Sequence, residues 1–184
     1  LAEEPKKDAK PNDAVVPTPK DVKRSEGFNE EIKKRDKVDL IFIGDSITEN
    51  WKIADPSLFS TIVLDRGIGG QTTPQILLRF TQDVVSLRPQ VVHIMAGTND
   101  VSGNSGAITD EAIVQNIRAM IDFAKANGIR VVLAAITPSK QFVARPSVDP
   151  SSRIAAVNRG LKALAAEKRV TFVDYTPALV DTVG

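Results

Sequence analysis

Short apolar runs recur along the chain, separated by longer segments that mix polar and apolar residues. The best defined run, residues 38–43, is almost continuously apolar and stops at Gly44. A short run without alternation is typical of a strand that is buried on both faces. On this pattern we predict strands at about residues 38–43, 61–66, 91–96, 129–136 and 170–174.

Between these runs the apolar positions follow helical spacing. The clearest helix is predicted over residues 110–127, where Ile113, Ile117, Ile121 and Ala124 share one face. Further helices are predicted at about 25–37, 48–59 (interrupted or ended near residues 55–56), 74–87 and 154–165. Strands that alternate with helices through short connections predict an α/β protein with three layers, α/β/α, and a flavodoxin-like five-stranded parallel sheet.

The composition is that of an ordinary globular protein and narrows the classes of function. The 184 residues are 42% hydrophobic and 26% charged, with a net charge of +1. The folded part contains no basic block, so its charge pattern does not predict a nucleic acid partner. No apolar run reaches the roughly 18 residues of a membrane span. The absence of cysteine excludes disulfides, and a single histidine makes a histidine-based metal site unexpected.

Residues 1–24 differ in composition from all that follows. They contain four prolines among charged residues and few large apolar groups, so we predict a disordered or extended linker before a folded domain at 25–184. The chain begins at Leu1, which a processed export signal or a trimmed sequence would each explain. The linker composition favours a secreted or periplasmic protein over a cytoplasmic one.

Small polar clusters follow three of the predicted strands, at residues 44–46, 67–73 and 97–100. The carboxyl ends of parallel strands meet at one edge of a sheet, where α/β proteins bind their ligands. We therefore expect the clusters to converge. Ser46 lies where a nucleophile would be needed, although it could equally serve only to cap the next helix.

The other two clusters also have purely structural interpretations. Gly67, Gly69 and Gly70 could form only a turn, or could hold a phosphate, although their spacing differs from that of a P-loop or a dinucleotide site. Asn99 and Asp100 could form an Asx turn or a helix cap. A functional site is therefore indicated by the expected convergence of the three clusters, and not by any one cluster alone.

The order and spacing of the clusters resemble the first three sequence blocks of the GDSL/SGNH hydrolases. The matching segments are 44–48, 66–73 and 97–100, and the similarity extends over about residues 30–180. Within that family the chain looks most similar to the branch of platelet-activating-factor acetylhydrolase-like esterases and bacterial carbohydrate acetylesterases.

The resemblance implies a serine esterase that hydrolyses short acyl esters, with acetyl as the expected group, through an acyl-serine intermediate. Ser46 would attack the carbonyl carbon, and the N–H groups of Ser46 and Gly70 with the Asn99 amide would form the oxyanion hole. Glycine leaves the backbone open to a ligand, and an amide donates without ionising. The implied substrate is a carbohydrate ester or a small acylated molecule, and neither a metal nor an organic cofactor is implied.

The general base of the family is missing from this sequence. The family carries the base in an Asp-x-x-His motif after the fifth strand. Here the residue three positions after Asp174 is Pro177, and the residue three positions after Asp181 is Gly184, so neither aspartate begins such a motif. The single histidine, His93, lies about 13 Å back from its strand tip at 3.3 Å per residue. We predict that His93 is a buried, hydrogen-bonded structural residue.

Two explanations account for the missing base. The domain could be truncated at its carboxyl terminus, which is favoured because such a sheet requires helices over both faces. Otherwise the chain is an inactive relative, a non-catalytic binding module that keeps the hydrolase pocket. A flavodoxin-like phosphate binder is a third hypothesis. In every case we expect the 184-residue chain to be inactive or nearly so as an esterase.

Overall fold

A central parallel sheet organises the parts of the chain that the structure describes. The structure is a computed structural model, and it describes residues 21, 23–24, 26–28, 37–142, 147 and 149–180. The strands are β1 Leu40–Gly44, β2 Val63–Gly67, β3 Val91–Met95, β4 Arg130–Ala134 and β5 Thr171–Val173. The helices are α1 Ser46–Ala54, α2 Thr73–Asp83, α3 Thr98–Ser102, α4 Asp110–Ala126, α5 Ser151–Lys168 and α6 Thr176–Leu179, with 3₁₀ turns at Pro56–Leu58 and Val85–Leu87.

The strands are all parallel and lie in the order β2-β1-β3-β4-β5. Helices cover both sides of the sheet, so the predicted α/β/α architecture with a flavodoxin-like five-stranded sheet is confirmed. Gly44 at the end of β1 pairs with Gly67 on one side and with Met95 on the other. The loops that follow these three strands therefore begin side by side at one edge.

The two faces of the sheet carry different side chains. Because side chains alternate along a strand, Ile41 and Ile43 point to one face and Phe42 points to the other. The first face joins a largely aliphatic core with α2, α4 and α5, which also contains Phe80. On the second face, Trp51 of α1 packs edge-on against Phe42, with ring centroids 5.5 Å apart. The second face therefore carries aromatic contacts close to the carboxyl edge.

Several predicted boundaries differ from the observed ones. The second strand begins at Val63 because the Ser60 hydroxyl accepts a hydrogen bond from the Val63 N–H (3.2 Å), which holds the preceding residues in a turn. The helix predicted over 48–59 begins two residues earlier, at Ser46, and it ends at Ala54, which confirms the interruption expected near residues 55–56. The helix predicted over 74–87 ends at residue 83 and continues only as a 3₁₀ turn.

Two short helices and the amino-terminal segment complete the comparison. The pattern did not predict α3 or α6, which have only five and four residues. Asp21, Lys23 and Arg24, which end the segment predicted to be a disordered or extended linker, are helical. Residues 1–20, and most of the helix predicted over 25–37, lie outside the described residues. Among the helices that the structure describes, none has the length and hydrophobicity to cross a membrane.

Candidate active site

The loop after β1 places Ser46 at the first position of α1. Asp45 is the N-cap of this helix, because its Oδ1 accepts a hydrogen bond from the Ile47 N–H at 2.9 Å. Asp45 and not Ser46 therefore caps the helix. The half-buried Ser46 hydroxyl makes no hydrogen bond within the described part of the chain. It is available to a ligand at the edge of the sheet.

The loop after β2 lies directly against the loop that carries Ser46. The Ile68 N–H donates to the Gly44 carbonyl at 3.2 Å, and the Gly69 N–H donates to Oε2 of Glu49 at 2.8 Å. Gly70 follows with φ +87°, a left-handed conformation that favours glycine, and its surroundings are open. Gly70 is exposed, and its N–H has no hydrogen-bond partner among the described residues, so it is free to donate to a ligand.

Asn99 joins the loop after β3 to the loop after β2. Its Nδ2 donates to the Gln71 carbonyl at 2.9 Å, and its Oδ1 accepts from Nδ2 of Asn104 at 2.6 Å. These two contacts fix the orientation of the amide, and one Nδ2 hydrogen stays available because an amide nitrogen carries two. The helix-cap interpretation of Asn99 is wrong, since Gly97 is the N-cap of α3.

Asp100 fastens the same loop to the start of α2. Its carboxylate accepts from the Thr73 N–H at 2.8 Å and from the Thr73 hydroxyl at 2.7 Å. Nδ2 of Asn116 on α4 donates to the same hydroxyl at 3.0 Å. Burial raises the pKa of Asp100, while its hydrogen bonds from Thr73 lower it. Asp100 therefore joins distant elements and does not cap its own helix.

Asp45 is a second buried carboxyl group in the site. Burial raises its pKa to about 6, against the hydrogen bond from Ile47, which lowers it, and the charge of Asp100 raises it further. Oδ2 of Asp45 has no hydrogen-bond partner among the described residues. The hydrogen bonding of Asp45 is therefore local, through Oδ1 to the first turn of α1.

His93 lies within the sheet and away from the Ser46 loop. Its Nε2 is 3.0 Å from the Tyr175 hydroxyl, and its ring centroid is 4.9 Å from that of Phe42. Burial lowers the pKa of His93 to about 4, so the imidazole is neutral near pH 7. The prediction that His93 is buried and hydrogen-bonded is confirmed, and its structural role stays a prediction.

A groove of about 440 Å³ opens beside the Ser46 loop, between α1 and α6. Its walls are largely apolar and include Ile47, Trp51, Met95, Tyr175 and Leu179. Trp51 both packs on Phe42 and lines this groove. The groove provides apolar space next to the candidate nucleophile.

Metal chemistry has no candidate site in the described part of the chain, where no cluster of three or more acidic, histidine or cysteine side chains could hold an ion. The residues that can act on a ligand are instead hydrogen-bond donors and one hydroxyl. Ser46, Gly70 and Asn99 lie in or directly after three neighbouring loops, and hydrogen bonds join the first loop to the second and the second loop to Asn99. This arrangement suits the stabilisation of a developing negative charge.

Sequence reasoning missed the residues that hold the loops together. They are Asp21, Gln71, Arg79, Asn104 and Asn116. One sequence signal was present at the start of α2, since Thr72 and Gln75 have the spacing of a capping box and form one. The other contacts join residues far apart in the sequence, and no local pattern indicates them.

The fold and the site together define an α/β protein whose candidate site lies at the carboxyl edge of a doubly wound parallel sheet. Residues 42–183 match the model of the GDSL-like lipase/acylhydrolase family. The chain therefore belongs to this family, and the resemblance noted in the sequence is confirmed.

Similar proteins extend this comparison. The crystal structure of a GDSL-like lipase from Bacteroides thetaiotaomicron VPI-5482 superposes with a TM-score of 0.78 at 35% identity, over 85% of this chain and 80% of that one. Axe2, an acetylxylan esterase from Geobacillus stearothermophilus, shares the fold with a TM-score of 0.61 at 20% identity, over 77% of each chain. The "Uncharacterized lipoprotein YqeF" of Bacillus subtilis (strain 168) is 30% identical over 54% of this chain. The chain spans about half the length of that curated relative, 49%.

Proposed function

We propose that this protein is a serine esterase that hydrolyses short acyl esters, with acetyl as the expected group, through an acyl-serine intermediate. Ser46 is the nucleophile. The N–H groups of Ser46 and Gly70 and the side-chain amide of Asn99 stabilise the oxyanion. Membership of an acylhydrolase family supports the reaction class.

The observation that carries this proposal is the hydrogen bond from Nδ2 of Asn99 to the Gln71 carbonyl, at 2.9 Å. It holds the amide beside Gly70, whose N–H is exposed, and leaves one amide hydrogen for a ligand. Preorganised donors of this kind stabilise a transition state because they need no reorganisation when charge develops.

The proposed substrate is a carbohydrate ester or a small acylated molecule. Axe2, which shares this fold, is an acetylxylan esterase, and we propose a carbohydrate acetate by that analogy of fold. The apolar groove beside Ile47 and Trp51 supports binding of an uncharged group next to Ser46. We also propose a secreted or periplasmic location, which the lipoprotein name of the Bacillus relative supports.

The general base is the part of the mechanism that these 184 residues do not supply. The sequence contains no Asp-x-x-His motif, and its one histidine is buried and bonded to Tyr175. A serine is a poor nucleophile without a base. We therefore expect the 184-residue chain to show little or no esterase turnover, apart from a residual acceleration by the oxyanion donors.

The test compares hydrolysis of p-nitrophenyl acetate by the protein expressed from its complete reading frame with that by the 184-residue chain. We expect turnover by the first, and a loss of about 10⁴-fold or more in kcat on Ser46→Ala. Asn99→Ala should lower kcat by about 10²- to 10³-fold, since it removes one oxyanion donor. Ser57→Ala, at an exposed serine outside the three loops, is the control and should leave kcat unchanged. Turnover that survives Ser46→Ala would contradict the proposal.

A non-catalytic binding module is the alternative, favoured by the missing base together with an intact groove. It predicts that the protein from the complete reading frame also lacks turnover, while it binds an acylated sugar in calorimetry. Phosphate binding at residues 67–73 that is insensitive to Ser46→Ala would instead support the phosphate-binding hypothesis.

A further inference from the structure

A buried arginine lies beneath two of the three loops of the site. Arg79 on α2 is 7% exposed. Its Nη2 donates to the Gly44 carbonyl at 3.0 Å, and its Nε donates to Oε1 of Gln71 at 2.7 Å. Its Nη1 forms an ion pair with Asp83 at 2.9 Å. One side chain therefore contacts both the loop before Ser46 and the loop that carries Gly70.

The chemistry of the guanidinium suits it to set a distance between two loops. Its donors lie in one rigid plane at fixed angles, whereas a lysine ammonium is a single point on a flexible stem. The Gly44 carbonyl lies two residues before Ser46, and Gln71 directly follows Gly70. A lysine could keep the ion pair with Asp83, but it could not reproduce both contacts to the loops.

Gln71 is held from a second side by the amino-terminal segment. Its Nε2 donates to Oδ1 of Asp21 at 2.8 Å, while its backbone carbonyl accepts from Asn99. Asp21 is 6% exposed, so this contact is shielded from water. The side chain of Gln71 is therefore fixed between Arg79 and Asp21, and its backbone is fixed by Asn99.

We propose that Arg79 is a positioning residue that sets the Gly70–Gln71 turn against the Ser46 loop. It acts on the turn through its hydrogen bond to the Gln71 side chain, which Asp21 holds from the other side. This inference rests on the proposed function, because it assigns the turn a role in oxyanion stabilisation. Arg79 does not touch the substrate. It acts through the geometry of the Gly70 N–H and of the Asn99 amide.

The pair Arg79–Asp83 allows a purely structural role to be separated from a positioning role. Asp83 is fully buried and neutralises Arg79, but none of its hydrogen bonds in the described structure reaches the site loops. Loss of Asp83 should therefore lower stability without moving the loops. Loss of the two hydrogen bonds from the Arg79 guanidinium to the loops should lower stability and also move the loops.

The first experiment measures kcat and KM for p-nitrophenyl acetate with the protein from the complete reading frame. Arg79→Lys should lower kcat on the order of 10- to 100-fold, because small misplacements of catalytic groups have effects of this size, with KM changed by less than about threefold. Gln71→Met keeps the side-chain volume but removes the side-chain hydrogen bonds to Arg79 and Asp21, and it should also lower kcat. Asp83→Asn is the matched control, with kcat within about twofold of the parent despite a melting temperature lowered at least as far as in Arg79→Lys.

The second experiment requires no catalysis and uses the 184-residue chain. Hydrogen exchange at the Ile68, Gly69 and Gln71 amides should be about tenfold faster in Arg79→Lys than in the parent, with no change in the amides of α4. Unchanged exchange at these amides would overturn the inference. A loss of kcat in Asp83→Asn as large as that in Arg79→Lys would overturn it too. Turnover that survives Ser46→Ala would contradict the proposed function. It would not contradict the effect of Arg79 on the geometry of the loops, because the exchange measurement tests that effect without catalysis.

Discussion

The loop after β1 and the loop after β3 contain similar residues but hold their buried carboxylates in different ways. Asp45 accepts a hydrogen bond from Ile47, two residues further on. Asp100 accepts hydrogen bonds from Thr73, 27 residues earlier in the chain. Both side chains are about 1% exposed. The first carboxylate therefore serves its own helix, and the second joins two elements of the fold.

This difference shows that equal burial does not imply an equal contribution to stability. Asp45 leaves Oδ2 without a partner among the described residues and has a pKa raised to about 6. For Asp100, the hydrogen bonds from Thr73 oppose the effect of burial on the pKa. The long-range carboxylate is therefore expected to stabilise the fold, whereas the local one is partly uncompensated when ionised.

The largest expected effect follows from removing the long-range carboxylate. Asp100→Ala should lower the free energy of unfolding by about 3 kcal/mol, because it leaves the buried N–H of Thr73 without its acceptor. Urea unfolding at pH 7 measures this loss. Asp149→Ala is the matched control, since exposed Asp149 accepts from the N–H and hydroxyl of Ser151 in the same way, and it should cost less than about 1 kcal/mol. Equal losses would remove the distinction between the two kinds of contact.

An intermediate, pH-dependent effect is expected from the local carboxylate. The pKa of Asp45 in the folded protein, about 6, exceeds its ordinary value of 3.8, so the folded state loses stability as the pH rises from about 4 to about 6. Asp45→Asn keeps a capping oxygen and removes this loss. The variant should therefore gain about 2 kcal/mol over the parent between pH 4 and pH 7.

Urea unfolding of both proteins at pH 4 and pH 7 tests this prediction. His93 acts in the opposite direction over the same range, because its pKa is lowered to about 4, but it is common to both proteins and cancels in the difference. A difference between the two proteins that does not change with pH would contradict the raised pKa of Asp45.

The smallest effect on stability is expected at Asn104, an exposed residue that holds Asn99 in the segment after β3. Asn104→Ala removes the donor to Oδ1 of Asn99 and should lower the free energy of unfolding by less than about 1 kcal/mol. Thermal unfolding measures it. Asn127→Ala, at an exposed asparagine that donates to the Phe123 carbonyl, should give a similar loss. A loss as large as that of Asp100→Ala would show that Asn104, too, holds the fold together.

The fold was largely predictable from the sequence because its strands are short apolar runs and its long helices are periodic. The helix at Asp110–Ala126 was predicted to within a residue, since its apolar face and its acidic first turn agree. The short helix at Thr98–Ser102 was not predictable in this way. It begins at Gly97 with φ +122° and without a side-chain cap, so the surrounding structure and not the local sequence fixes it.

The candidate site was predictable only as positions along the chain. Ser46, Gly70 and Asn99 were indicated by strand ends and by family resemblance, and their catalytic roles stay predictions. The contacts that fix their loops join residues 28 and 50 positions apart, as in Asn99–Gln71 and Gln71–Asp21. Such pairings depend on how the strands are ordered in the sheet, and the sequence alone did not reveal them.

The groove beside the Ser46 loop contains the one tryptophan of the chain, Trp51. Its ring lies 5.7 Å from that of Tyr175 and 5.9 Å from that of His93. Fluorescence excited at wavelengths that tryptophan absorbs and tyrosine does not therefore comes from a single indole among these 184 residues. Its emission reports the entry of a small molecule into the groove without any attached label.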